Sequence, residues 1–112
     1  MKPVDFLFSS RQDLHAMPKS ARMALGTGLR AVQRGLMPAD FKPMPSIGSG
    51  VYEIRCKDVH GAFRVVYVAK FEEAVYVLHA FQKKTQKTSR PDRELAASRY
   101  RKLLEKRKEM NL

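Results

Sequence analysis

A chain of 112 residues has room for one folded domain and not two, and a 44% hydrophobic share with six phenylalanines and four tyrosines can fill its core. That composition excludes wholesale disorder, no run approaches the roughly 20 apolar residues of a membrane helix, and a single cysteine, Cys56, excludes an internal disulfide. Twenty-two Lys and Arg against eleven Asp and Glu leave a net charge of +11, a self-repulsion that implies a polyanionic partner. Nucleic acid ranks ahead of a membrane surface, because no helix pairs a broad apolar face with a cationic one. The opening Met1-Lys2-Pro3-Val4-Asp5 puts an acid where a signal peptide would begin its apolar run, so a cytoplasmic protein is expected.

Residues 4–9 alternate, with Val4, Phe6 and Phe8 against Asp5, Leu7 and Ser9, which predicts a short strand. Ser10 with Asp13 three residues later predicts the N-cap of a short helix to about Met17. Pro18 suits a first turn, and Ala21, Leu25, Leu29 and Val32 at spacings of four and three predict a second helix over 18–34, closed by Gly35. Residues 36–50 hold three prolines and two glycines and read as a structured loop. Three strands follow: 51–57, a hairpin turn at 58–61, then 62–70 and 74–81. The last is apolar on both sides and should lie centrally, covered on both faces. Its residue His79 is expected on the face shared by Val75, Val77 and Phe81. Residues 82–93 turn sharply basic, and Ser89, Pro91 and Asp92 announce a final helix with Ala96, Tyr100, Leu103 and Leu104 on its apolar side. The order is that of an α+β single domain over 1–112: a mainly antiparallel sheet, two N-terminal helices and one C-terminal helix.

Few of the familiar chemical motifs survive inspection. Ser46-Ile47-Gly48-Ser49-Gly50 fits neither a Walker loop nor a dinucleotide fingerprint, and a strand follows where a helix should. His15, His60 and His79 lie on different elements, so no metal site and no cofactor are expected. Cys56 belongs to the apolar side of its strand and reads as core. The cations remain. Glu53, Arg55 and Lys57 project from one strand face, Arg64 follows on the next strand, and Lys83, Lys84, Lys87, Arg90 and Arg93 come at or after the end of the last. Adjacent strands lie about 4.8 Å apart, so these side chains can gather on one surface. A sheet has no structural need of arginines in mid-strand; a phosphate-rich ligand or a developing phosphorane does. His79, beside the basic run, could orient or protonate a phosphate or ribose hydroxyl.

Three segments carry a resemblance: residues 50–55 (GVYEIR), 61–70 (GAFRVVYVAK) and 78–88 (LHAFQKKTQKT). Together they resemble the HigB-type, phage-related branch of the RelE/ParE toxin superfamily, with 81–88 the most specific part. The resemblance implies a RelE-like fold and the toxin of a type II toxin–antitoxin system, a hydrolase that cleaves messenger RNA on the ribosome without a metal. In such toxins the ribose 2′-hydroxyl attacks the adjacent phosphate. It also implies a helix-turn-helix, HigA-like antitoxin as partner, in a complex that is heterotetrameric or larger. Carried over residue by residue, Arg64 after Phe63 matches the arginine that grips the scissile phosphate. Arg55, then Lys57, match the basic residues of the preceding strand, and Lys83 and Lys84 those after the last. Lys87, Arg90 and Arg93 would add RNA contacts. Glu53 stands where RelE has a lysine. The catalytic tyrosine of RelE has no counterpart in 90–93 (RPDR), and Tyr100 lies too far along, in the expected core. His79 and Glu53 are the substitutes for a general base. Two other readings share the charge: a ParE-like, non-catalytic toxin that inhibits DNA gyrase, and a plain nucleic-acid-binding module.

Overall fold

The computed structural model describes residues Met1–Leu112. In chain order it contains β1 (Val4–Phe6), α1 (Ser10–His15), α2 (Lys19–Gln33), β2 (Phe41–Pro43), β3 (Val51–Asp58), β4 (Gly61–Val68), β5 (Val75–Lys83) and α3 (Arg90–Glu109). The strands form one five-stranded sheet in the order β1-β5-β4-β3-β2, with β1 parallel to β5 and every other pair antiparallel. The expected α+β architecture is the one observed.

Strict alternation along β3 and β4 divides the core between two faces. Leu14, Met17, Ala21, Leu25, Leu29 and Val32 of the N-terminal helical segment pack on one face, against Ile54, Phe63, Val65, Tyr67, Val75 and Val77. Ala96, Tyr100 and Leu103 of α3 cover the other, against Val51, Val66, Val68, Tyr76 and Leu78. Helices on both faces explain why β5 is apolar throughout: every residue from Val75 to Phe81 is buried. Leu104, expected beside Leu103, is 40% exposed, because 20 residues of α3 meet the sheet along a narrow stripe.

Local chemistry accounts for the boundaries. The β3–β4 hairpin turns on Val59 and His60, where Asp58 Oδ1 accepts from the His60 amide at 2.7 Å and Gly61 takes φ +126°. Ser89 caps α3, its hydroxyl oxygen accepting from the Asp92 amide at 3.2 Å, with Pro91 in the first turn. Gly35, at φ +80°, ends α2 as predicted. The tyrosine on α3 is core: Tyr100 is buried, and its hydroxyl donates to the Ser49 carbonyl at 2.9 Å.

Four expectations are corrected. The first strand stops at Phe6, because Phe8 turns to φ +55° and the chain swings into α1. Ser10 is not a cap: it is fully buried, its hydroxyl donating to the Val77 carbonyl at 3.3 Å, and Ser9 holds the N-cap position. The loop 36–50 contains a short edge strand, β2, whose Pro43 is tolerated because its outer side pairs with nothing. His79 does not share a face with Val75 and Val77. A bulge sets Val66 opposite His79 and Tyr67 opposite Val77, so Leu78 is the extra residue and everything after it changes face.

Gly48 sits in the turn beneath the Tyr100 ring, where a Cβ would lie 2.3 Å from ring carbons Cδ2 and Cε2. Gly48→Ala should therefore destabilise the protein by about 1–3 kcal/mol through overpacking. Thermal unfolding checks this, with a midpoint several degrees lower expected.

Candidate nucleic-acid site

In an antiparallel pair, residues directly opposite one another share a face. The registers therefore line up three rungs across β3, β4 and β5: Glu53–Val66–His79, Arg55–Arg64–Phe81 and Lys57–Ala62–Lys83. The middle rung opposes two arginines on neighbouring strands, an arrangement that costs stability. The bulge delivers Lys83 to the same face, and β5 runs two residues longer than its hydrophobic pattern predicts, so Lys83 belongs to the strand rather than the loop.

These side chains converge. Arg55, Lys57, Arg64, Lys83 and Lys84 line one open groove of about 570 Å³, with Ala62, Thr85 and Gln86 completing it. Arg64 is its deepest cation, only 4% exposed. Its Nη1 donates to the Phe63 carbonyl at 3.0 Å, and its Nε lies 3.1 Å from Glu53 Oε1 without the alignment of a hydrogen bond. Glu53 is 2% exposed, and its second oxygen accepts from the buried Thr88 hydroxyl at 2.7 Å. Burial lowers the Arg64 pKa, Glu53 opposing that shift and Arg55 adding to it. The Lys83 pKa is also lowered, first by desolvation and then by Arg64 and Arg55. Its proton is held less firmly than that of an ordinary lysine.

Neither of the two residues expected to serve as a base lines the groove. Glu53 is occupied by Arg64 and Thr88. His79 is buried, stacked on Phe81 with ring centres 4.6 Å apart, and its Nε2 lies 2.8 Å from Asp92 Oδ1. His79 Nδ1 has no protein partner. Lys87 and Arg93 line a second, smaller cleft of about 180 Å³ together with Lys42. Arg90 lines neither; it is exposed and pairs with Glu94 at 2.7 Å, one turn along α3. Cys56 lies on the opposite face, half-buried against the α1–α2 core, its pKa raised by burial. No three His, Cys, Asp or Glu side chains lie close enough together to hold a metal ion.

Sequence reasoning missed Thr88 and Lys42. Thr88 is one of several polar residues in a basic run, and nothing local marks it as the partner of a carboxylate 35 positions away. Lys42 lies on the unpredicted strand β2, opposite Glu53.

Breaking the buried pair from one side should be costly. Glu53→Ala leaves Arg64 uncompensated and should lower stability by about 3 kcal/mol, whereas replacing Glu53 and Arg64 together by Met should come close to neutral. Denaturant unfolding of both variants measures the difference.

Comparison with known proteins adds the following. The model of a family described as "Phage derived protein Gp49-like (DUF891)" matches residues 12–101. A chain in the crystal structure of the RelBE2 toxin–antitoxin complex of Mycobacterium tuberculosis superposes with a TM-score of 0.53 at 24% identity, over 73% of this chain and 98% of that one. At that identity the likeness is one of fold: the sheet and helices are those of a RelE-type toxin. No curated protein matches the chain.

Proposed function

The chain belongs to the family of Gp49-like, phage-derived proteins, and on that premise we propose that it is the toxin of a type II toxin–antitoxin system, an endoribonuclease that cuts messenger RNA on the ribosome. Within the superfamily we assign it to the HigB-type branch, which its residues 81–88 resemble. The observation that carries the reading is the groove: five cations from three strands and the following loop, with one carboxylate, buried behind them. Opposing Arg55 to Arg64 costs the sheet stability. A phosphodiester repays that cost by bringing the negative charge the groove lacks.

In this reading Arg64 and Arg55 clamp the scissile phosphate. The ribose 2′-oxygen attacks phosphorus, the bond to the 5′-oxygen breaks, and a 2′,3′-cyclic phosphate and a 5′-hydroxyl result. The extra charge of the phosphorane falls on the clamped oxygens, where fixed donors stabilise it most. Lys83, with its lowered pKa, gives the leaving 5′-oxygen its proton. The 2′-hydroxyl proton passes to water at the open side, since Glu53 and His79 are buried and paired. Those two are positioning residues: Glu53 aims Arg64, and His79 ties the strand bearing Lys83 to the start of α3. Lys57, Lys84, Lys87, Arg90 and Arg93 hold flanking phosphates by charge. The RelBE2 structure is a toxin–antitoxin complex; the corresponding partner here would be a helix-turn-helix antitoxin of HigA type, in a heterotetramer or larger assembly. No helix of the chain is long and apolar enough to cross a membrane, and the proposed site of action is the cytoplasm.

Primer extension on messenger RNA in a translation extract tests the reading: cuts linked to codons are expected with ribosomes present. Gyrase-dependent DNA breaks, or salt-sensitive binding with no lesion, would overturn it in favour of a ParE-like toxin or a plain binding module.

Two substitutions probe the assignments. Arg64→Ala should lower the cleavage rate by about 10²–10³-fold; full toxicity of a folded variant would sink the clamp. Lys83→Arg keeps the charge but not a proton that can be transferred. It should bind RNA nearly as well as the parent while cutting about 10²-fold more slowly. Because the Lys83 pKa is lowered, the parent's rate should fall on raising the pH at a lower value than an ordinary lysine would give. A Lys83→Arg enzyme with the parent's rate would remove Lys83 as the acid.

A further inference from the structure

Away from the groove, the residue most at odds with stability is Phe8. It stands between β1 and α1 at φ +55°, in the left-handed region that a bulky side chain rarely adopts, and it is 56% exposed. Glycine would relieve both costs, and the backbone of this turn does not depend on the side chain: Leu7 is anchored by its amide to the Val77 carbonyl, and Ser10 by its amide to Leu7. A ring kept under such conditions calls for a reason beyond the turn itself.

Its surroundings supply one. Arg99 Cζ lies 5.3 Å and Lys102 Nζ 5.5 Å from the centre of the Phe8 ring. Residues three apart on a helix sit on one side of it, so both cations reach the ring from the same side of α3 while more than half of Phe8 stays in solvent. Arg99 is fixed: nine-tenths buried, it donates from Nη1 to the Leu78 carbonyl at 2.9 Å and from Nη2 to the Ser9 hydroxyl at 3.0 Å. Lys102 is exposed. An exposed aromatic flanked by cations has the composition of a single-stranded nucleic-acid platform: the ring takes a base and the cations its phosphates.

We propose that Phe8, with Lys102 beside it, forms a second RNA-binding site, on which an unstacked base of a single-stranded RNA rests. A protein partner is the weaker fit, since an apolar cover would desolvate Arg99 and Lys102 without returning charge, whereas a phosphodiester returns it. The ligand class rests on the RNA-cutting reading; the position of the site does not.

Binding of a fluorescent single-stranded oligoribonucleotide to the full chain, titrated at several salt concentrations, tests this. Phe8→Gly should bind about tenfold more weakly with an unchanged salt slope, while unfolding at the parent's temperature or above it. Phe8→Leu, which keeps apolar area but not the π-face, should lose the same affinity, and Phe8→Trp should retain it. Lys102→Ala should lower the salt slope by about one ion. Parent affinity in Phe8→Gly, with the parent protein binding and cutting RNA, would overturn the platform and leave the groove standing. Failure of the parent to bind RNA would overturn both. A Phe8→Gly variant that binds RNA normally but loses a partner protein would assign the ring to that protein instead.

Discussion

A carboxylate with almost no exposure, Glu53, is what allows arginines to stand in the middle of this sheet. Arg55 and Arg64 face each other across β3 and β4, and Arg64 is nearly as buried as the acid behind it. Without Glu53 the charge of Arg64 would be both desolvated and repelled. With it, Arg64 is held by one ion pair and one backbone hydrogen bond in a single orientation. Buried ion pairs seldom add stability over apolar packing, so their value lies in fixing geometry. Thr88 extends the arrangement by hydrogen-bonding the other Glu53 oxygen, which ties the loop after β5 to β3. The loop that carries Lys84, Thr85 and Gln86 is thereby drawn over the groove those residues line.

The second constraint is one residue long. Were β5 regular, His79, Phe81 and Lys83 would keep the face of Val75 and Val77 and be committed to the α1–α2 side. Inserting Leu78 as a bulge turns all three to the side of Arg55 and Arg64. His79 then meets Asp92 at the start of α3, Phe81 stacks beneath it, and Lys83 completes the last rung. A register shift in the sheet thus places Leu78 and Phe81 in the core beneath α3 and carries Lys83 to the side of the proposed chemistry.

This explains how much of the molecule was legible in its sequence. The two long helices, the β3–β4 hairpin and the cap at Ser89 follow from local rules, and the structure has them. Arg55, Lys57 and Arg64 could be gathered on one face because β3 and β4 alternate without interruption. Lys83 and Lys84 were found through their basic neighbourhood and the likeness of residues 81–88 to a known pattern, not through strand periodicity. His79 was put on the wrong face because a bulge leaves no trace in alternating hydrophobicity: Val-Leu-His-Ala reads the same with or without it. Strand β2 was hidden by its prolines, and Thr88 by the distance in sequence to Glu53. These three misses are non-local pairings, which a one-dimensional pattern does not encode.

Helix α3 is where these features become mechanically linked. Its N-terminal end is fixed by His79 to Asp92, and its middle by Arg99 to the Leu78 carbonyl, on the bulge itself. Its C-terminal end is fixed by Arg107, which holds Glu73 through Nε at 2.6 Å and Nη2 at 3.1 Å and lies 3.7 Å over the Phe71 ring. That last contact is neutralised: Glu73, also bonded by the Tyr76 hydroxyl, has its pKa drawn down to about 2, chiefly by Arg107. Arg107 at the far end of the helix is therefore committed to structure. With one attachment before the bulge, one on it and one after it, α3 holds the placement of the groove's charge and the register of the strand together.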